Sequence, residues 1–87
     1  MQTPDHRVVL YTRQGCHLCE SARALVAEES ARVGASWTEV DVASDPALEE
    51  QHGDYVPVVV VDGVRRGIFK IDPVRLRRAL AATSPSG

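Results

Sequence analysis

Two cysteines separated by two residues are the only thiols in this 87-residue chain. They are Cys16 and Cys19, in the stretch GCHLCE at positions 15–20. Residues three apart on a helix have Cβ atoms about 5–6 Å apart, and a disulfide needs about 3.5–4.5 Å. A small adjustment of the first helical turn therefore closes the bond, so a pair with this spacing can form a reversible disulfide. The pair could also supply half of a tetrahedral zinc site. A third interpretation is two thiols without a chemical role.

The sequence around the pair predicts that it lies where a strand passes into a helix. Residues 7–12 form an apolar run typical of a central strand. Over residues 17–33 most apolar side chains fall on one helical stripe, and Gly34 is a suitable stop. At such a helix start, free backbone N–H groups and the helix dipole stabilise a thiolate, the species that attacks disulfides. We therefore predict Cys16 as the nucleophile and Cys19 as the resolving thiol.

The remaining patterns predict three more strands and two more helices. In chain order they are a half-exposed edge strand (36–42), a helix opened by Asp45-Pro46 (to about 51), a buried strand (58–61), a returning strand with a bulge near Gly67 (64–69) and a helix opened by Asp72-Pro73. The order β-α-β-α-β-β-α favours an α/β fold of the thioredoxin type, a single domain over residues 1–87 with its core at about 7–82 and a flexible tail at 83–87. We expect a four-stranded mixed sheet of order 2-1-3-4, with a right-handed parallel crossover, a final hairpin and helices on both faces.

Composition excludes several classes of function. A net charge of −2 and an isoelectric point near 5.8 argue against binding nucleic acid through its phosphates. The longest apolar stretch, residues 55–61, is far shorter than the ~20 residues of a membrane-spanning helix. The first residues lack the apolar core of a secretory signal, so we expect a reducing, cytoplasmic location. The basic cluster Arg75, Arg77 and Arg78 is interpreted as a solvated helix face.

Three histidines bear on the metal and redox interpretations. A zinc ion needs about four ligands, and His6, His17 and His52 are the only soft donors besides the two cysteines. His6 and His52 are distant in sequence and are interpreted as solvated surface residues, so we predict no metal site. His17 is either an exposed residue without a role or one that tunes the neighbouring thiol.

Pro57 is the second informative position, because it precedes a run that reads as a central strand. A proline cannot donate a hydrogen bond within a sheet and is tolerated as the first residue of a strand. The alternative is a cis Val56–Pro57 bond, which occurs in about 5–6% of such bonds.

Taken together, YTRQGCHLCE and, about forty residues later, VPVVVVDG resemble the glutaredoxin-like members of the thioredoxin-fold superfamily over residues 7–82. The resemblance implies that the Val56–Pro57 bond is cis and packs against the cysteine pair. It also implies that the backbone of Val56 binds an incoming thiol substrate and that Arg13 contacts a substrate carboxylate. Tyr11 is expected to pack in the core.

The chain departs from typical glutaredoxins at two places. His17 and Leu18 stand between the cysteines instead of Pro-Tyr, and Phe69, Lys70 and Ile71 replace a Gly-Gly that lets glutathione approach the backbone. These side chains would crowd a bound tripeptide. We expect no tightly bound cofactor, a low-molecular-weight thiol (glutathione or another) or a reductase as reductant, and a monomer.

The leading functional hypothesis is a thiol–disulfide oxidoreductase that acts in electron transport on protein disulfides or on mixed disulfides with small thiols. A metal or iron–sulfur carrier is one alternative, and a dimer could share a cluster through Cys16 of each chain. A catalytically idle interaction module with a thioredoxin fold is the other.

Overall fold

The structure is a computed structural model in which residues 7–82 are described, and its framework is a four-stranded mixed sheet. The strands are β1 (Val8–Thr12), β2 (Trp37–Asp41), β3 (Val58–Val61) and β4 (Val64–Ile68). They lie in the order β2-β1-β3-β4, as predicted. Strand β2 is parallel to β1, while β3 is antiparallel to both β1 and β4. The predictions for His6 and for the tail at 83–87 fall outside the described residues.

All three helices begin at a side-chain cap, and the sequence predicts two of these starts, those at Asp45 and Asp72. The helices are α1 (His17–Val33), α2 (Pro46–His52) and α3 (Pro73–Ala81), and single-turn helices cover Val42–Ser44 and Gly53–Tyr55. Asp45 and Asp72 cap α2 and α3 by accepting backbone N–H bonds, each followed by proline at the first helical position. Gly34 ends α1 with a φ of 67°, which favours glycine. Among the described helices, none combines the length and apolarity needed to cross a membrane.

The main core lies between one face of the sheet and helices α1 and α3. Alternate residues of a strand point to opposite faces, and Val8 and Leu10 of β1 point into this layer. Its buried members are Val8, Leu10, Ala22, Val26, Val59, Val61, Ile71, Leu76, Ala79 and Leu80. The central strands therefore read as continuous apolar runs because both of their faces are covered.

The opposite face of the sheet packs against α2. Tyr11 of β1 points to this side, and its ring stacks on His52 at the end of α2, with ring centroids 4.3 Å apart. His52 is thus half-buried, and its interpretation as a solvated surface residue is wrong. Burial and the charge of Arg65 lower the pKa of His52, so the stacked ring favours the neutral form. Helices cover both faces of the sheet, as predicted.

The hairpin from β3 to β4 carries the bulge that the sequence suggested. Asp62 and Gly63 turn the chain with φ angles of 52° and 82°, both in the left-handed region that this tight turn requires. Val59 pairs with Gly67 and Val60 pairs with Arg65, so Arg66 has no partner residue across the ladder. The bulge thus lies at Arg66, beside the predicted Gly67.

One carboxylate is buried where α1 meets α3. Glu29 has only 3% of its side chain exposed, and both of its oxygens accept hydrogen bonds from Arg77, at 3.0 and 2.8 Å. Arg32 adds a second, longer contact at 3.7 Å. These cations lower the pKa of Glu29, with the Arg77 hydrogen bonds as the largest cause. The ion pair joins two helices that are 48 residues apart in sequence at this contact.

The Arg77→Gln variant should be markedly less stable than wild type at neutral pH. The substitution leaves a buried carboxylate without its bidentate partner, and we expect the melting temperature to fall by several degrees. Arg75→Gln is the matched control, since Arg75 is exposed on the same helix. The control should melt close to wild type.

The same comparison should depend on pH. The folded pKa of Glu29 lies below its ordinary value of 4.5, so this contribution to stability is present above that value and is lost as the pH falls through the folded pKa. The gap in melting temperature between wild type and Arg77→Gln should therefore narrow in acid. A gap that stays constant down to about pH 3 would contradict this account.

Candidate active site

The loop between β1 and α1 presents the first cysteine at the start of the helix. Gly15 has a φ of 79°, a conformation that glycine adopts without steric penalty. The chain then reaches Cys16 in an extended conformation, as the N-cap residue of α1. Its sulfur accepts a hydrogen bond from the backbone N–H of Cys19, with a nitrogen–sulfur distance of 3.2 Å. The half-buried Cys16 sulfur thus satisfies one of the free N–H groups of the first turn.

The second cysteine differs from the first in burial and protonation. Cys19 is 1% exposed, and both cysteines are free thiols in this structure. Burial raises the pKa of Cys19 to about 11, and a hydrogen bond from this thiol to the Cys16 sulfur adds to the rise. The backbone of Arg13 and the charge of Arg23 oppose it more weakly. At neutral pH the site therefore holds one accessible sulfur with a protonated, shielded thiol behind it.

Sheet pairing brings two distant segments to the same end of the sheet as the cysteine loop. Tyr11 pairs with Val58, so the end of β1 lies beside the residue that precedes β3. That residue is Pro57, fully buried after a cis Val56–Pro57 bond, as the resemblance implied. Val58 in turn pairs with Ile68, which brings Phe69 to this end.

Arg13 connects the cysteine loop to the segment that follows α2. Its guanidinium forms an ion pair with Glu49 and donates to the carbonyl oxygen of Gly53 at 3.1 Å. A Cβ atom on residue 53 would lie 2.8 Å from the Arg13 guanidinium, so glycine permits this close approach. The resemblance implied that Arg13 contacts a substrate carboxylate, and no pattern in the sequence indicated Glu49 and Gly53 as its partners. His17 is exposed at the first position of α1.

An aromatic pair lies at the rim formed by the Pro57 and Phe69 segments. The Tyr55 and Phe69 rings are 6.1 Å apart, and the Phe69 N–H donates to the Tyr55 carbonyl at 3.2 Å. Arg65 lies over the Tyr55 ring at 5.3 Å. Phe69 has a φ of 60°, a conformation unusual for an aromatic residue, and is 46% exposed. The side chain replacing the expected glycine thus keeps the backbone shape that glycine favours.

A polar network on the other side of the loop was not anticipated from the sequence. Glu39 on β2 accepts two hydrogen bonds from Arg23, each 2.7 Å long, and one from the Thr12 hydroxyl at 2.8 Å. The Arg23 hydrogen bonds are the main reason that the pKa of Glu39 is lowered. The network borders a recess of about 310 Å³ beside the loop. Two features of the sequence could have indicated this network. Arg23 lies one turn after Cys19, and polar and apolar residues alternate along β2.

Among residues 7–82, no three histidine, cysteine or acidic side chains come close enough together to hold a metal ion. His52 stacks on Tyr11, whereas the two cysteines lie in the loop and first turn of α1. The described part of one chain therefore offers a thiol pair and not a complete set of metal ligands.

Residues 7–81 match the family described as glutaredoxin-like domain (DUF836). The chain belongs to this family. An uncharacterized protein of Mycobacterium tuberculosis, Rv0508, is 32% identical over 83 residues, which cover 90% of this chain and 86% of that protein. The crystal structure of the protein XcR50 from X. campestris has a TM-score of 0.71 at 34% identity, covering 88% of this chain and 99% of its own.

A glutaredoxin from Brucella melitensis is also similar, with a TM-score of 0.52 and 31% identity over 77% of this chain and 75% of that one. The family match and these structures confirm the resemblance to glutaredoxins and the thioredoxin-like α/β fold. A glutaredoxin-like fold supports a redox role in general terms.

The two thiols should react at very different rates with iodoacetamide. In the folded, reduced protein at neutral pH, we expect one alkyl group, at Cys16, while the denatured protein should take two. In the Cys16→Ser variant, Cys19 should react at least about 30-fold more slowly than a free cysteine. Burial shields this thiol and raises its pKa, and the thiolate fraction falls about tenfold for each unit that the pKa rises. Mass spectrometry over time measures both. Comparable labelling of the two thiols in the folded protein would contradict the assignment.

Two substitutions at Phe69 separate its backbone conformation from its ring. Phe69→Ala and Phe69→Gly both remove the contact with Tyr55, but only glycine adopts a φ of 60° freely. The left-handed conformation destabilises the folded alanine variant by about 1–2 kcal/mol. The extra freedom of glycine in the unfolded chain destabilises the glycine variant by about 0.5–1 kcal/mol. We expect the glycine variant to be more stable than the alanine variant by about 0.5–1 kcal/mol in urea denaturation. Equal stability of the two would rule out strain at this position.

Proposed function

We propose that this protein is an enzyme, a thiol–disulfide oxidoreductase in which Cys16 is the nucleophile and Cys19 the resolving thiol. The observation that carries the proposal is the asymmetry of the pair. The Cys16 sulfur lies at the helix start and accepts the Cys19 N–H, while the Cys19 thiol is buried directly behind it with its pKa raised to about 11. Two unequal thiols in contact are what a two-step exchange needs.

In the first step, the Cys16 thiolate attacks one sulfur of a substrate disulfide. A mixed disulfide forms between Cys16 and that sulfur, and the other substrate sulfur leaves as a thiolate with the bonding electron pair and takes a proton from water. The Cys19 N–H donates to the Cys16 sulfur and so holds the attacking atom at the start of α1.

In the second step, Cys19 loses its proton to solvent or to the departing group and attacks the Cys16 sulfur. The Cys16–substrate bond breaks, the substrate sulfur that Cys16 had attacked leaves with the bonding electron pair and takes a proton, and a Cys16–Cys19 disulfide forms. Two electrons have then passed to the substrate. In the reduced pair, the pKa of about 11 keeps the Cys19 thiol protonated at neutral pH, so Cys16 is the thiol that attacks first. A low-molecular-weight thiol, glutathione or another, or a reductase then returns two electrons to the pair.

Four further residues are assigned to substrate binding. In this proposal the backbone of Val56 pairs with an extended substrate segment, and Pro57 forms the floor beside the cysteines. Val56 supports this role by its extended backbone (φ −63°, ψ 145°), next to the cis bond at the same end of the sheet as the cysteine loop. His17 lies exposed beside Cys16. Arg13, still 39% exposed in its ion pair, can share a substrate carboxylate with its existing partner.

The two free thiols and the aromatic rim support the proposed compartment and reductant. Two free cysteines with an exchange role fit a reducing compartment such as the cytoplasm, where permanent disulfides are rare. Phe69 and Lys70 occupy the side where a tripeptide would approach, and both are exposed. We therefore assign a low-molecular-weight thiol or a reductase as a reductant that binds only transiently.

The Cys16→Ser and Cys19→Ser variants test the proposal against a peptide disulfide. Removing Cys16 should reduce turnover to the uncatalysed background, because no other accessible thiol is available to attack. Cys19→Ser should still complete the first step and then stall, so that a mixed disulfide on Cys16 accumulates and is seen by non-reducing mass spectrometry. It should retain activity on mixed disulfides with a small thiol.

Ala31→Ser is the control, since this exposed residue lies near the far end of α1 from the cysteines and belongs to no part of the proposed site. Full turnover by Cys16→Ser, or failure of Cys19→Ser to trap any mixed disulfide, would exclude this mechanism. Melting curves of both cysteine variants confirm that loss of activity is not loss of fold.

A further inference from the structure

A basic groove runs between β4 and α3, on the side of the sheet away from β2. It consists of two adjoining recesses of about 290 and 250 Å³ that share Arg66 and Arg75. The first is lined by Arg66, Arg75, Arg78, Ala79 and Ala82, and the second by Arg65, Arg66, Gly67, Ile68, Lys70, Asp72 and Arg75. We call this the arginine groove and define it by Arg66, Lys70, Arg75 and Arg78.

The charges of the arginine groove are not neutralised within the described residues. Within the described residues, most arginines of the chain form an ion pair with a carboxylate. They are Arg7, Arg13, Arg23, Arg32 and Arg77. Over residues 7–82, neither an ion pair nor a side-chain hydrogen bond involves Arg66, Arg75 or Arg78. The one acid lining the groove, Asp72, uses a carboxylate oxygen to cap α3 at 2.9 Å. A chain with a net charge of −2 thus carries a local positive surface.

Two separate features of the fold bring these cations together. The bulge leaves Arg66 without a partner residue on the edge strand β4. Arg75 and Arg78 are three residues apart on α3, hence neighbours on one side of the helix, whereas Arg77 is held by Glu29 of α1. The cluster interpreted from the sequence as one solvated face is therefore divided between an internal ion pair and a surface groove.

Protection of an exposed edge strand explains only part of this arrangement. Charged residues and bulges on edge strands prevent pairing with other chains, which accounts for Arg65 and Arg66. It does not account for the two arginines of α3 that line the same recess. Nucleic acid is a poorer fit than an acidic protein, because no aromatic side chain lines either recess and the overall charge is negative. Glutamate and aspartate side chains match arginine forks well.

The groove begins beside the rim of the candidate active site. Lys70 directly follows Phe69, which lies at the end of the sheet that carries the cysteine loop. We propose that the arginine groove binds an acidic segment of the partner protein whose disulfide reacts at Cys16. This inference rests on the proposed function and adds the chemistry of the partner. The groove would raise the encounter rate and orient the disulfide without touching the reacting sulfurs.

Two peptides that differ only in charge test the groove. Each has one cysteine as a mixed disulfide with thionitrobenzoate, then a six-residue Gly/Ser spacer that reaches up to about 20 Å, and either four glutamates or four glutamines. The Cα atoms of the molecule extend over 32 × 28 × 15 Å, so the spacer covers much of one face. Attack by Cys16, with resolution by Cys19, releases one thionitrobenzoate per peptide, and its absorbance gives the second-order rate constant.

Wild type should react at least about threefold faster with the glutamate peptide than with the glutamine peptide at low salt, a modest part of the 10- to 1,000-fold range of electrostatic steering. Added salt should abolish this preference, since the screening length falls to about 3 Å at 1 M. The net negative charge of the chain alone predicts the opposite order.

Arginine variants test whether the preference for the glutamate peptide comes from the arginine groove. Arg75→Gln should reduce the ratio of the two rates, and the Arg66→Gln/Arg75→Gln/Arg78→Gln variant should bring it to one or below. Both should keep the wild-type rate with the glutamine peptide. Arg32→Gln is the matched control, because it also removes one exposed helical arginine, whose bond to Glu28 is long at 3.5 Å. Its rate ratio should equal that of wild type.

The outcomes separate the groove from the chemistry. No Cys16-dependent release from either peptide would refute the proposed function. Release at equal rates from both peptides, or a glutamate preference that survives in the triple variant, would refute the groove while leaving the chemistry intact. Binding of a single-stranded oligonucleotide that is lost in the triple variant, without a glutamate preference, would overturn the inference in favour of nucleic acid.

Discussion

The hydrogen bond from the Cys19 N–H to the Cys16 sulfur is the contact on which the rest of the site depends. The first N–H groups of any helix lack partners within the helix, and here a sulfur supplies one. The same bond ends the loop that leaves β1, fixes where α1 begins and holds the two sulfurs one turn apart. Folding at this junction and chemistry at the pair therefore use the same atoms.

This junction becomes a site because the sheet brings other segments to it. The antiparallel pairing of β1 with β3, and of β3 with β4, carries the Pro57 and Phe69 segments to the end of the sheet that holds the cysteine loop. Arg13 adds a side-chain link from the loop to Glu49 and Gly53. A small domain can thus surround one reactive sulfur with three loops, each anchored at the end of a paired strand or helix.

Charge is distributed unevenly over this framework. Arginines with carboxylate partners join elements that are distant in sequence, as Arg77 does for α1 and α3 and Arg23 does for α1 and β2. Arg66, Arg75 and Arg78 are left on the surface between β4 and α3. The same residue type therefore serves as an internal connector in one place and as exposed charge in another, and packing decides which.

The sequence by itself determined the helices and strands and the position of the two thiols at the start of α1. The bounds of α1, the Asp-Pro helix starts, the Asp62-Gly63 turn and the strand order all follow from local periodicity and capping, which depend on neighbours in the chain. Only the tertiary structure decided that His52 stacks on Tyr11, that Phe69 adopts a positive φ and that Arg77 parts from Arg75 and Arg78. These features depend on contacts between residues tens of positions apart, and no local pattern encodes which long side chain finds which partner.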